Sequence, residues 1–121
     1  MGYDAKVKRI GKNLTEKQME LLALLYYGYE LVTRGGVKDP YTIEMEMELV
    51  DYQVDQKDIS ALSTHRLLED TRCGIKFRLA IKASSLGEQV FEKAPESMSR
   101  YVVEKSLRAQ GFDLVFDVQK S

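Results

Sequence analysis

Residues 43–49, IEMEMEL, alternate without a break between apolar side chains and glutamate. A helix would put Met45 and Leu49 on the side opposite Ile43 and Met47, whereas a strand puts all four on one face. Apolar residues continue to alternate as far as residue 54 in a shifted phase, and one β-bulge near Leu49 and Val50 repairs the slip. The pattern therefore predicts a bulged strand over residues 41–54.

The stretch after Leu14 predicts a helix with a well-defined start. Thr15 can cap the helix and Gln18 can reach back to it, which is the spacing of a capping box. The pattern extends the helix to Arg34, where Gly35 can adopt a left-handed stop conformation. Its body is apolar nearly all the way round, so it is either central to the fold or covered by another chain.

Shorter patterns predict the remaining elements. Alternation over residues 3–7 predicts a short strand, and residues 37–40 predict a turn. A helix is predicted over residues 55–70, a strand over 75–83, and helical segments that start near Ser84 and Pro95 and end at Gly111. A last strand is predicted over residues 112–118.

The charges on these strands predict how they pair. The 43–49 strand would show Glu44, Glu46 and Glu48, and the 75–83 strand would show lysine and arginine. Opposite charges across a strand pair are favourable and like charges are not, so the acidic strand should lie beside the basic one. The predicted fold is α+β: a two-layer sandwich with helices on one face of a three- to four-stranded, mainly antiparallel sheet, as in a ferredoxin-like variant. A winged helix-turn-helix is the alternative.

Length and composition predict one domain over residues 1–121 and a cytoplasmic protein. The net charge of −1 argues against unspecific binding to nucleic acid or to an anionic membrane. Cys73 is the only cysteine, which is typical of a reducing compartment. The longest apolar stretch, residues 19–32, is too short and too interrupted to span a bilayer.

A cluster of tyrosines around Gly28 is the most unusual local feature. Tyrosine is favoured at interfaces because it buries a ring while its hydroxyl reaches a polar partner. The pattern predicts a self-association surface, and hence a homodimer, that uses Leu25, Tyr26, Tyr27 and Tyr29. Core packing with the hydroxyls at the rim is the alternative.

Candidate chemistry is sparse. His65 and Cys73 would have to meet to form a nucleophilic pair, and no orienting motif surrounds either residue. One histidine and one cysteine cannot make a tetrahedral zinc site. Carboxylates spaced along a strand diverge, so they cannot converge on one cation. No phosphate-binding glycine motif occurs. The sequence therefore predicts no catalytic residue, no metal site and no cofactor, and it leans away from an enzyme.

Basic residues gather in one region and suggest a nucleic-acid contact: His65, Arg66, Arg72, Lys76, Arg78 and Lys82. Three segments carry a resemblance to a known family: LTEKQMELLALL, DISALSTHRLLED and GIKFRLAIKASSLGEQVFEK. They resemble the first helix, the recognition helix and the wing of MarR- and PadR-type winged-helix regulators. That resemblance implies that residues 60–66 face the DNA major groove, with contacts from Ser60, Ser63, Thr64, His65 and Arg66. It also implies that Arg72, Lys76 and Arg78 lie near the wing.

The sequence favours a non-enzymatic binding or regulatory protein that acts through protein–protein interaction. A protein partner is favoured over nucleic acid, and a winged-helix DNA-binding regulator is the alternative.

Overall fold

A computed structural model describes residues 2–34, 41–46, 48–71 and 78–114. These residues form five α-helices, one 3₁₀ turn and five strands. In chain order they are α1 (Gly2–Asn13), α2 (Glu16–Tyr26), β1 (Glu30–Arg34), β2 (Tyr41–Met45), β3 (Glu48–Val50), α3 (Gln56–Thr64), β4 (Leu68–Thr71), β5 (Arg78–Ala83), α4 (Ser85–Glu92), a 3₁₀ turn (Glu96–Met98) and α5 (Arg100–Ala109).

The five described strands form one antiparallel sheet in the order β3-β2-β1-β5-β4. The α+β class is confirmed, but the predicted count of three to four strands is wrong. Among the described residues, β1, β2 and β3 are consecutive elements, and so are β4 and β5. The predicted alternation of strands with helices, on which the ferredoxin-like expectation depended, is therefore not the observed order.

The hydrophobic core lies between one face of the sheet and the helices. Leu31, Ile43 and Ile81 are cross-strand neighbours on that face, and all three are buried. Helices α2 and α4 pack against the sheet, and α2 also packs on α3 and α5. Val32 and Ala80 lie on the opposite face of the sheet and are also fully buried. The opposite face is therefore not fully exposed to solvent, whereas the pattern predicted that it would be.

Helix α2 starts as predicted and ends earlier. Thr15 and Gln18 exchange the two hydrogen bonds of a capping box. The helix stops at Tyr26 because Gly28, with φ 99°, takes the left-handed stop position that was predicted for Gly35. The residues that follow belong to β1, in which Val32 and Thr33 favour extended backbone. Gly35 itself lies outside the described residues, as does the predicted turn at 37–40.

The described parts of the IEMEMEL segment lie in two antiparallel strands, β2 and β3, and not in one bulged strand. Glu46 adopts φ 51° in the turn between β2 and β3, which separates Glu44 from Glu48. The neighbours of Glu44 in the sheet are Glu30 and Leu49, and β1 lies between β2 and the basic strand β5. The predicted pairing of the 43–49 strand with the basic strand is therefore wrong, because β2 pairs with β1 and β3 instead.

Three further boundaries differ from the predictions. Residues 3–7 lie in helix α1, since Val7 and Ile10 bury one side of a helical turn. The helix predicted over 55–70 ends at Thr64, and β4 follows. Residues 112–114 are not in a strand, and the rest of the predicted last strand lies outside the described residues.

None of the helices in the described part of the chain is both long enough and apolar enough to cross a lipid bilayer. The single-domain organisation and the cellular location stay predictions.

Candidate functional site

Helix α3 presents a polar surface to solvent. Asp55 caps it by accepting a hydrogen bond from the Lys57 backbone N–H at 2.9 Å, and Ile59 and Leu62 anchor its inner side in the core. The outer side carries short side chains and one cation, all exposed: Gln56, Lys57, Ser60, Ser63 and Thr64. Donors and acceptors of this kind can bond to base edges or to phosphate oxygens.

The turn after α3 has an unusual residue at its key position. The helix ends in a Schellman motif, in which Leu67 N–H donates to the Leu62 carbonyl and Arg66 N–H donates to the Ser63 carbonyl. Arg66 holds the left-handed position, with φ 61°, and its side chain is exposed. Left-handed backbone costs a non-glycine residue about 1–2 kcal/mol.

Two other helices end in the same motif and have glycine at this position. Gly28 follows α2 with φ 99°, and Gly111 follows α5 with φ 98°. The ends of α2 and α5 therefore have glycine at this position, whereas the end of α3 has an arginine.

The first turn of α4 holds this segment in place. Ser84 Oγ donates to the Arg66 carbonyl at 2.8 Å, and Ser84 N–H donates to the Leu67 carbonyl at 2.9 Å. The same hydroxyl caps α4 by accepting from Gly87 N–H. The backbone of residues 66–67 is therefore fixed on both sides.

The β4–β5 hairpin carries both signs of charge. Lys82 lies across from Glu69 in the register, with 3.4 Å between Lys82 Nζ and a Glu69 carboxylate oxygen. Both side chains are about half exposed, so the pair adds little stability. Asp70 is exposed as well.

The predicted nucleic-acid contacts are thus only partly placed. His65 is half-buried at the end of α3, Arg66 is exposed beside it, and Lys82 pairs with Glu69. Arg78 lies in β5, where its backbone is paired with that of Arg34. Arg72 and Lys76 lie outside the described residues.

The predicted self-association surface is buried inside the chain. Leu25, Tyr26, Tyr27 and Tyr29 are each no more than 7% exposed. Their side chains pack in the core of the single chain, and their role in self-association stays a prediction. Whether the chain pairs with itself stays a prediction.

The tyrosine hydroxyls connect α2 to the C-terminal helices. Tyr26 donates to a Glu92 carboxylate oxygen at 2.7 Å, and Tyr27 donates to Glu104, which also accepts from Arg100 Nε. Burial, reinforced by the bond to Glu92, raises the pKa of Tyr26 to about 12. Burial also raises the pKa of Glu104, although the nearby Arg108 opposes this.

A second tyrosine pair packs on one phenylalanine. Tyr29 and Tyr52 both approach Phe112 edge-on, with ring centroids 5.7 and 5.6 Å from it. The Tyr29 hydroxyl donates to the Asp113 carbonyl at 2.9 Å. The Tyr52 hydroxyl is buried and has no hydrogen-bond partner in the described part of the chain. Burial raises the pKa of both phenols.

The remaining candidate chemistry does not assemble. Cys73 lies outside the described residues, so its distance to His65 is not defined. The β2–β3 turn separates the three glutamates, and Glu44 is 2% exposed. Among the described residues, no group of three or more His, Cys, Asp or Glu side chains has the arrangement of a metal site.

Helix α1 has a cationic face. The prediction of a strand over residues 3–7 did not indicate it. Its members are exposed and lie opposite the buried side of the helix: Lys6, Lys8, Arg9 and Lys12. A helical period would have revealed it, because Val7, Ile10 and Leu14 are spaced i, i+3 and i+7, and all three are buried.

Comparison with known proteins gives no match: no family model fits the sequence, and neither a characterised protein nor a solved structure is significantly similar. The structure defines an α+β protein, and its described strands form one open, antiparallel, five-stranded sheet.

Proposed function

We propose that this protein binds duplex DNA through a surface made of α3 and the β4–β5 hairpin. Connectivity supports the proposal: α3 leads directly into the hairpin, and β5 pairs with β1, the strand that follows α2. The sequence resembles MarR- and PadR-type regulators, and in those regulators a recognition helix is followed by a wing. The β2–β3 hairpin stands where those regulators have their second helix.

The position of Arg66 is the observation that carries the proposal. Arginine is the side chain best suited to guanine edges and phosphates, because its planar fork donates two parallel hydrogen bonds. At this position it occupies a strained backbone conformation that glycine fills at the ends of α2 and α5. Strain of this kind persists where surrounding structure enforces it, and the Ser84 hydrogen bond to the Arg66 carbonyl does so here.

The rest of the α3 surface suits recognition of polar groups. Ser60 and Ser63 offer hydroxyls, the Thr64 hydroxyl donates to the Ser60 carbonyl at 2.8 Å and can still accept, and Lys57 adds a positive charge in the first turn. The exposed Glu69 and Asp70 on β4 oppose binding to phosphate, so affinity should be modest and strongly dependent on salt.

Fluorescence anisotropy with a labelled random-sequence DNA duplex at low ionic strength tests the proposal. Arg66→Asn keeps a residue that tolerates left-handed backbone and removes the guanidinium, so affinity should fall roughly tenfold. Lys105→Gln is the matched control, because Lys105 is an exposed cation on α5, remote in sequence from α3. Equal affinity for wild type and Arg66→Asn, or no binding by the wild type, would exclude this surface.

Self-association is the second candidate, and a different observation favours it. Tyr101 and Val102 are adjacent in the first turn of α5, and they are 73% and 42% exposed. Exposed aromatic and aliphatic side chains of this kind are enriched at protein interfaces. The predicted homodimer would therefore form through α5 and not through the buried tyrosines of α2.

Sedimentation velocity distinguishes the two candidates. If α5 mediates pairing, Tyr101→Ser with Val102→Ser should convert a dimer to a monomer, while Leu49→Ser on β3, which removes another exposed apolar side chain, should not. A wild-type monomer at all accessible concentrations would rule out this candidate.

A further inference from the structure

We infer that the cationic face of α1 is a second contact for duplex DNA, which it binds through the phosphate backbone. The inference rests on the proposed function, because it assumes the same ligand, duplex DNA. It places part of the binding on a helix outside the region that resembles a winged helix.

The geometry of α1 concentrates its cations on one side. Successive residues advance by about 100°, so Lys8, Lys12, Arg9 and Lys6 occupy an arc of about 160° centred opposite the buried side chains. All four are exposed. Between Lys6 and Lys12 the helix rises about 9 Å, so four positive charges share less than two turns of surface.

Acidic residues balance these charges only in part, since Asp4 interacts with Lys93 first and with Lys8 more weakly. The only acid on α1, Asp4, bonds to Lys93 Nζ at 2.7 Å, and this hydrogen bond lowers its pKa. No carboxylate in the described part of the chain lies within ion-pair distance of the four cations. Since the whole chain has a net charge of −1, the rest of the sequence is correspondingly acidic and α1 is a local exception.

A polyanion fits this face better than a membrane does. A helix that binds a bilayer inserts its apolar side, and the apolar side of α1 is in the core, where Val7 is fully buried and Gly11 packs near Pro95 and Val90. Duplex DNA presents one negative charge per about 1.7 Å of its axis, and binding releases condensed counterions in proportion to the phosphates neutralised.

A short link joins the end of α1 to a residue that contacts α3. Gln18, in the first turn of α2, donates to a carboxylate oxygen of Asp58 on α3 at 3.3 Å. Asn13 ends α1 five residues before Gln18, at most about 18 Å along the chain. This link keeps the end of α1 within about 18 Å of Gln18, a span shorter than two turns of duplex DNA.

The experiment measures the dependence of duplex affinity on salt for the full chain. Replacing Lys6, Lys8, Arg9 and Lys12 together by glutamine should flatten the slope of log K against log salt by about 3.6, and Lys12→Gln alone by about 0.9. Lys105→Gln removes the same charge from α5 and should leave the slope unchanged. A variant with Lys6, Lys8 and Lys12 changed to arginine keeps the charge and should bind as the wild type does, which separates charge from folding.

The outcomes distinguish this inference from the proposed function. If the glutamine variants bind as the wild type does while Arg66→Asn binds weakly, the α1 contact is overturned and the α3 surface stands. If the glutamine variants lose binding while Arg66→Asn is unaffected, α1 binds the duplex and the α3 proposal fails. Binding of the wild type to phosphatidylserine vesicles but not to duplex would overturn both.

Discussion

The Ser84 hydroxyl donates a hydrogen bond to the Arg66 carbonyl oxygen at 2.8 Å. One side chain thereby joins the start of α4 to the end of α3, since the same oxygen accepts from Gly87 N–H and caps α4. The orientation of the proposed DNA-binding helix thus depends on a residue that lies on another element.

Ser84→Ala should lower the free energy of unfolding by about 1–2 kcal/mol, because it removes a helix cap and leaves the Arg66 carbonyl with one partner fewer. Ser85→Ala is the control, because Ser85 is exposed and its neighbour provides the cap. Urea unfolding of both variants measures the difference. Equal stability of the two would show that the Ser84 hydroxyl does not stabilise the junction.

Gly87→Ala should be more damaging. An added Cβ would lie within 3.0 Å of the Leu67 carbonyl oxygen, which belongs to a paired backbone and cannot move freely. Overpacking of this kind costs about 3 kcal/mol. Gly11→Ala is the matched control, because its Cβ would approach Pro95 Cδ at 3.4 Å and alanine favours a helix. Thermal melts that show equal loss for both variants would contradict the close packing of α4 on residue 67.

Arg66→Gly should change stability and binding in opposite directions. Glycine relieves the left-handed strain, and after its own entropic cost in the unfolded chain the net gain should be about 0.5 kcal/mol. Duplex affinity should fall, because the guanidinium is gone. Denaturation and anisotropy on the same preparation test both signs. A variant that is less stable than the wild type would mean that the Arg66 side chain supports the fold.

Tyr29→Phe and Tyr52→Phe should differ although both rings pack on Phe112. Removal of the Tyr29 hydroxyl breaks its bond to the Asp113 carbonyl and should cost about 1 kcal/mol. Removal of the Tyr52 hydroxyl, which is buried without a partner among the described residues, should be neutral or stabilise the fold by up to about 1 kcal/mol. Parallel urea titrations compare them, and a larger loss for Tyr52→Phe would reveal a partner for that hydroxyl.

The raised pKa of Tyr26 predicts a loss of stability in alkali. Its folded pKa of about 12 lies above the ordinary tyrosine pKa of 10.0, so between these pH values the folded state holds a proton that the unfolded state has lost. The contribution is fully present below pH 10.0 and disappears as the pH rises toward 12. Tyr26→Phe should flatten the slope of unfolding free energy against pH in this window, and an unchanged slope would show that Tyr26 does not contribute to it.

Local signals in the sequence were sufficient for some of the fold. The capping box of Thr15 and Gln18 requires only neighbouring residues, and it forms as predicted. The end of the same helix was misplaced because both Gly28 and Gly35 can stop a helix, and tertiary packing selects between them. The stretch from Tyr29 to Val32 suits a buried helix or a buried strand equally well by its apolarity.

Turns without glycine were the main obstacle to predicting the sheet and the site. The β2–β3 turn uses Glu46 with positive φ, so strict alternation of methionine and glutamate concealed it. The turn after α3 uses Arg66 in the same way, so the end of that helix was not visible either. The sequence shows Arg66 as a basic residue but does not reveal its left-handed backbone, whereas a helical wheel would have found the cationic face of α1.

The separation of charge in this molecule means that its net charge is a poor guide to how it meets a charged surface. Four exposed cations share one face of α1, although the whole chain has a net charge of −1. A sulfonated resin should retain it near its isoelectric point, where electrophoretic mobility vanishes, and the bound molecules should share one orientation.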